Sequence, residues 1–147
     1  MIKNRRVAVA AVAVAAGLAT TLTGTPAEAA ASGPSPITTW LNAVKPHKPT
    51  WVNVHWTTGK KICDAEVRVE GDKVDVSYPS NTGTYTSFSQ SDSLRGGHVD
   101  RTAVNVTAHY GRTAFVPIEA TITYTNCKSD AVKSKTFWLT LPVLKGY

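Results

Sequence analysis

The sequence has 147 residues, a formal net charge of +6, hydrophobic residues at 42% and aromatic residues at 8%. That length gives room for one domain, and the apolar content suffices for a packed core, which excludes a disordered chain. The charge is mild and the only basic doublet past residue 29 is Lys60-Lys61, which excludes a nucleic-acid binder of the usual kind, with Lys and Arg concentrated in a run.

In chain order, the first element is an export signal. Lys3, Arg5 and Arg6 form a positive start, Val7 to Leu22 is rich in Ala, Val and Leu, and the small-residue triplet Ala27-Glu28-Ala29 follows Pro26. This pattern predicts a signal peptide over residues 1–29, cleaved after Ala29, and general secretion to the extracellular space. The mature product then has about 118 residues and a net charge of about +4. No Cys stands near the cleavage point to accept lipid, and the carboxyl end carries neither a sorting sequence nor a second apolar span. No stable membrane anchor is expected.

Residues 30–50 hold Pro34, Pro36, Pro46 and Pro49, which forbid a long helix and predict an extended entry segment with an edge strand at residues 37–44. From Trp51 the periodicity becomes two, the spacing at which successive side chains point to opposite faces of a sheet. Val52, Val54 and Trp56 share one face, with Trp51, Asn53 and His55 on the other. Cys63, Ala65, Val67 and Val69 alternate with Asp64, Glu66, Arg68 and Glu70, and Val74, Val76 and Tyr78 alternate with Lys73, Asp75 and Ser77. A two-residue Gly71-Asp72 connection between these runs predicts a β-hairpin.

Residues 79–97, from Pro79 to Gly97, are polar and Ser-rich with Tyr85, Phe88 and Leu94 as anchors, and read as a long loop with one weak strand. Val104, Val106, Ala108 and Tyr110 then face inward. So do Val116, Ile118, Ala120, Ile122 and Tyr124, and after a turn Phe137, Leu139 and Leu141. Pro117 donates no ladder hydrogen bond, so its strand is expected to start at an edge or to bulge there. Six strands with one or two weaker ones, and no helical periodicity past Ala30, predict a single all-β antiparallel sandwich over residues 51–147.

Cys63 and Cys127 are the only cysteines, and in a secreted chain an even count predicts a disulfide. A loop of about 65 residues closed this way stabilises by roughly 4 kcal/mol on the chain-entropy model. Zinc would need a CxxC or a matching His pair, which the sequence lacks. Cys127 falls on the alternation of the outward Thr125, so the bridge is expected at the rim of the sandwich, with a bulge as the alternative.

The strand and turn spacing over residues 37–147 resembles the bacterial immunoglobulin-like or fibronectin-like domains of secreted actinobacterial proteins, which implies an immunoglobulin-like sandwich of about seven strands. The antibody-type signature is absent: no Trp lies between Cys63 and Cys127, and Tyr124 precedes Cys127 by three residues where a tyrosine corner has two.

Catalytic chemistry finds little purchase. No GxSxG elbow is present. His98 and Asp100, two apart after Gly96-Gly97, have the spacing of two metal ligands or of a base and its orienter, against an ordinary turn in which Asp100 caps the chain. Asp64 and Glu66 stand at glycosidase-like separation, as any alternating outward pair on a strand does. A copper oxidative enzyme needs His as its first mature residue, and the predicted one is Ala30. No cofactor or metal is implied.

The remaining signal is aromatic. Trp51 and Trp138 fall on outward positions, His55 shares the wet face of Trp51, and Trp40 lies in the entry segment. Exposed rings on a sheet stack on sugars or anchor a protein partner. The reading is a secreted, monomeric, non-catalytic module that binds an extracellular polysaccharide or protein through Trp51, His55 and Trp138. The alternatives are a secreted inhibitor presenting the residue 79–97 loop and a small hydrolase using His98 and Asp100.

Overall fold

The computed structural model describes residues 33–146; the signal peptide predicted over residues 1–29 lies outside them. Seven strands follow in order: β1 (Pro34–Pro36), β2 (Thr50–Thr58), β3 (Ile62–Gly71), β4 (Val74–Ser77), β5 (Val99–Ala108), β6 (Ala114–Asn126) and β7 (Val132–Val143). All named pairings are antiparallel, in the spatial order β1-β2-β5-β4-β3-β6-β7. No helix occurs among the described residues.

The ladder is continuous but creased. β3 and β4 share a single pair, Gly71↔Val74, after which β4 runs along β5. The predicted hairpin is therefore a corner: its turn residues are Asp72 and Lys73, one later than the sequence suggests, with Lys73 in the left-handed conformation (φ 56°). Gly71 is needed in the strand itself. A Cβ there would stand 2.4 Å from Ile118 Cδ1, so its absence lets a fully buried β6 side chain fill the crease. The corner folds the ladder into two facing layers, β1-β2-β5-β4 and β3-β6-β7, the sandwich that alternation predicts.

Between the layers lies one apolar core. Val52, Val54 and Trp56 of β2, Val104 and Val106 of β5, Val67 and Val69 of β3, Ile118 and Ile122 of β6, and Leu139 and Leu141 of β7 are all buried. Trp56 meets Phe137 edge-on across the layers, ring centroids 5.7 Å apart. Its indole N–H, which would be costly to bury unpaired, donates to Thr102 Oγ1 at 3.0 Å.

Both lateral margins are closed by segments that cross from one layer to the other. The entry segment is a strand earlier than expected, at Pro34–Pro36 along β2. The predicted edge strand at residues 37–44 makes only parallel bridges to β7, Trp40↔Thr140 and Val44↔Val143, with Leu41 and Val44 buried. Prolines suit this position because an edge strand has a side on which no N–H is required.

On the other margin, residues 79–97 cover the free edge of β3. Val67 and Thr86 exchange N–H···O bonds at 2.8 and 3.0 Å, Ile62 and Leu94 exchange two at 3.0 Å, and Ala65 N–H donates to Asp92 O at 2.8 Å. The Val69 N–H finds Tyr78 Oη at 2.9 Å. Phe88 bridges instead to Thr102 of β5. The predicted loop is thus a side wall pairing with both layers, and a ladder that would otherwise be exposed is satisfied.

Cys63 and Cys127 form a disulfide, Cα atoms 5.3 Å apart. It joins the start of β3 to the residue after β6, within one layer. The parity conflict is resolved in β3: register shifts between Cys63 and Glu66, and Asp64 takes a left-handed φ of 52°. This bulge sends Ile62 into the core and turns Cys63, expected to face inward, toward Cys127 at the rim. Pro117 sits within β6, one residue outside the last β3 pair, Gly71↔Ile118, where β6 has β7 as its only neighbour.

Candidate functional site

Alternation places Trp51 and Trp138 outward, and both are exposed, 54% and 62%. They do not meet. Trp51 and His55 share the outer face of β2, across from Asn105 and Arg101 of β5, whereas Trp138 stands on the outer face of the opposite layer, across from Glu119. The three residues singled out by sequence therefore form two surfaces, with the core between them.

The face around Trp138 is the richer one. Trp40 reaches it because residues 39–41 hydrogen-bond along β7: Thr140 N–H donates to Thr39 O at 2.7 Å and Leu41 N–H to Thr140 O at 2.9 Å. The Trp40 ring packs edge-on against Phe115, centroids 5.8 Å apart, and these rings are 56% and 60% exposed. Phe115 pairs with Pro142, Pro117 with Thr140 and Glu119 with Trp138, so the outward row of β6 runs from an aromatic ring through a proline to a carboxylate. A depression beside the Trp138 indole is lined also by Glu70, Asp72, Pro117 and Glu119. Farther along, hydroxyls pair across the strands, Thr121 with Thr136 at 3.0 Å and Thr123 with Ser134 at 3.4 Å. Phe115 escapes sequence reading because it borders a turn; the inward parity of Val116 was the signal that sends it outward.

His98 and Asp100 do not form a pair. Asp100 is 9% exposed and lies on the inward parity of β5. Its carboxylate accepts from Ser89 Oγ, Ser89 N–H, Gln90 N–H and Arg101 N–H. Burial acts to raise this carboxyl, but the bonds from Ser89, Arg101 and Gln90 more than offset it and hold it below the usual aspartate value. His98 is exposed, between the Gly96-Gly97 turn and the start of β5. Asp100 is a latch between the side wall and β5, set within the strand and not in a turn ahead of it.

The carboxylates Asp64 and Glu66 are likewise engaged with neighbours on a wet face: Asp64 accepts from Thr125 Oγ1 at 2.8 Å and Glu66 pairs with Arg68 at 3.2 Å. His109, just past the end of β5, has two partners. Its Nε2 lies 2.7 Å from Asp75 Oδ2 and its Nδ1 3.4 Å from His47 Nδ1. His47 is carried there by the entry segment, its N–H bonded to Ala108 O at 2.8 Å. No group of three His, Cys, Asp or Glu suited to a metal ion occurs among the described residues.

The feature least visible in the sequence is a basic cleft at the end of the sandwich where the β2–β3 and β6–β7 connections meet. Lys60 and Lys61 come together there with Lys133 and Lys135 of β7, beside Tyr124 and Asn126. Lysines scattered over 75 positions are gathered by topology alone.

No protein-family model and no curated protein matches the sequence. Among solved structures, the chain is similar to AvmM, which catalyses macrocyclization in alchivemycin A biosynthesis, at 10% identity and a TM-score of 0.43 over 71% of this chain and 85% of that one. It is similar to a family 123 glycoside hydrolase from Clostridium perfringens at 9% identity and a TM-score of 0.39, over 70% of this chain and 22% of that one. It is also similar to PapD-like domain 7 of human CEP192 at 6% identity and a TM-score of 0.43, over 85% of this chain and 93% of that one.

Proposed function

We propose that the protein is a secreted, non-catalytic binding module that docks on an extracellular polysaccharide through the outer face of β6 and β7. The observation that carries this reading is the exposure of three large rings, Trp40, Phe115 and Trp138, on one outer sheet face. Flat rings stack on the apolar faces of sugars. Beside them, Glu70, Asp72 and Glu119 offer acceptors for sugar hydroxyls at the Trp138 depression, a chemistry suited to a neutral glycan. Cleavage of the 1–29 leader and the Cys63–Cys127 bridge fit an oxidising, extracellular destination.

Sedimentation of the protein with insoluble polysaccharides is the test. Retention is expected for the native chain and is expected to fall at least tenfold in Trp138→Ala, with an unchanged melting temperature because the ring is 62% exposed. Retention that survives both Trp138→Ala and Trp40→Ala would overturn the assignment of this face, and absence of retention on any polysaccharide would move the reading to a protein partner.

A further inference from the structure

We infer that His47 and His109 form a two-histidine site for Zn²⁺, one that clasps the entry segment to the end of β5. The two residues are 62 apart in sequence, so no ligand spacing announces them. They meet where the entry segment passes from β7 to the start of β2. The site belongs to the β1-β2-β5-β4 layer, across the core from Trp138, and stands or falls apart from the polysaccharide reading.

The distance between two nitrogens carries the inference. His47 Nδ1 and His109 Nδ1 are 3.4 Å apart. The ring centroids are 5.5 Å apart and the planes are tilted by 48°, so the rings meet at their nitrogen edges and do not stack. A contact of this length is long for a hydrogen bond. It is the separation at which a tetrahedral ion holds two ligands: bonds of about 2.0–2.1 Å place the nitrogens about 3.3–3.4 Å apart, whereas the right-angle positions of a square-planar or octahedral ion place them at about 2.9 Å. Zn²⁺ takes imidazole nitrogen readily and prefers that tetrahedral arrangement. Two protein ligands leave its other two positions open to water.

The surroundings hold both rings ready. Asp75 Oδ2 lies 2.7 Å from His109 Nε2, and a carboxylate accepts, so in the neutral ring the proton sits on Nε2 and the Nδ1 lone pair is free for a metal. An outer carboxylate in this position fixes the tautomer and orientation of a ligating histidine and raises its basicity. It also sets a negative charge behind the ligand, which favours a cation. The backbone is fastened on both sides: His109 N–H donates to Lys73 O and His47 N–H to Ala108 O, each at 2.8 Å. His47 keeps a left-handed φ of 60°, a conformation that costs a non-glycine residue energy. Both histidines are exposed, which gives the ion an entry path.

The test is a titration of the full chain with zinc chloride at about pH 7.5, where unperturbed imidazole is neutral. It is followed by the ring and amide NMR signals of the four histidines, with magnesium chloride as the control. One equivalent of Zn²⁺ is expected to shift the signals of His47 and His109 and leave those of His55 and His98 in place. A dissociation constant of about 1–100 µM is expected from half the ligand set of a structural zinc site. Mg²⁺, which takes oxygen ligands, should shift none of the four. His47→Asn keeps a residue that tolerates left-handed backbone and should abolish saturation, as should His109→Gln. Asp75→Asn retains both ligands and should weaken binding about tenfold. With zinc bound, the His47 N–H should exchange more slowly, because the ion holds the entry segment against β5. Unchanged affinity in His47→Asn, equal shifts at His55 and His98, or no saturation below about 1 mM would overturn the inference and leave the two rings as a plain surface contact.

Discussion

Asp100 of β5 receives the hydroxyl and the backbone N–H of Ser89 on one carboxylate oxygen, so a wall segment eleven residues upstream is fastened to the strand by one buried anion. Because the bonds to the charged form hold the folded-state value below the unfolded one, the stabilisation is present in full above the unfolded aspartate pKa. It is lost as pH falls through the lower, folded-state value. Melting temperature measured from neutral to strongly acidic pH should show this loss, and Asp100→Asn should flatten the acid limb. At pH 7 Asp100→Ala is expected to destabilise by about 2–3 kcal/mol through the donors left unpaired.

Phe88, 5% exposed, is the apolar anchor of the same wall. Phe88→Ala is expected to cost about 3 kcal/mol by creating a cavity, read as a shift of the denaturation midpoint. Hydrogen exchange should then quicken at Val67 and Ala65, whose N–H groups bond to Thr86 and Asp92, while the β6–β7 ladder exchanges as before. An unchanged midpoint would show the wall to be dispensable.

Gly71→Ala places a methyl group 2.4 Å from Ile118 Cδ1. Overpacking of this kind costs about 1–3 kcal/mol. Shortening the partner should recover part of the loss: Gly71→Ala with Ile118→Val is expected to be more stable than the sum of the two single changes, a coupling measurable in a double-mutant cycle.

Reduction of Cys63–Cys127, or Cys63→Ser with Cys127→Ser, is expected to destabilise by about 4 kcal/mol if chain entropy dominates. Intact mass of the native chain should be two hydrogens below the reduced formula. Alkylation of both thiols without reductant would refute the bridge.

The strands were legible because each buries one face: Val52, Val54 and Trp56, or Val116, Ile118 and Ala120, keep strict alternation, and burial follows it. Alternation says nothing about which strand lies beside which. The β3–β4 corner was hidden because a two-residue turn reads as a hairpin whether or not the strands stay together, and only the Gly71–Ile118 approach separates the two outcomes. The wall at residues 79–97 was hidden because its pairing is made of isolated bridges, each too short to leave a periodic trace. On the surface, outward positions such as Trp51 and Trp138 were readable one at a time. Their separation onto opposite layers, and the convergence of Lys60, Lys61, Lys133 and Lys135, depend on topology.

The entry segment has a consequence for self-association. Its crossing from β2 to β7 covers one flank of the molecule with the chain's own backbone, as residues 79–97 cover the other. Proteolytic trimming past Val44 would bare the rows of peptide groups on β2 and β7 and leave them open to strand addition by a neighbouring copy. A chain that keeps Pro34–Val44 keeps this cover on β2 and β7, and one that begins after Val44 lacks it.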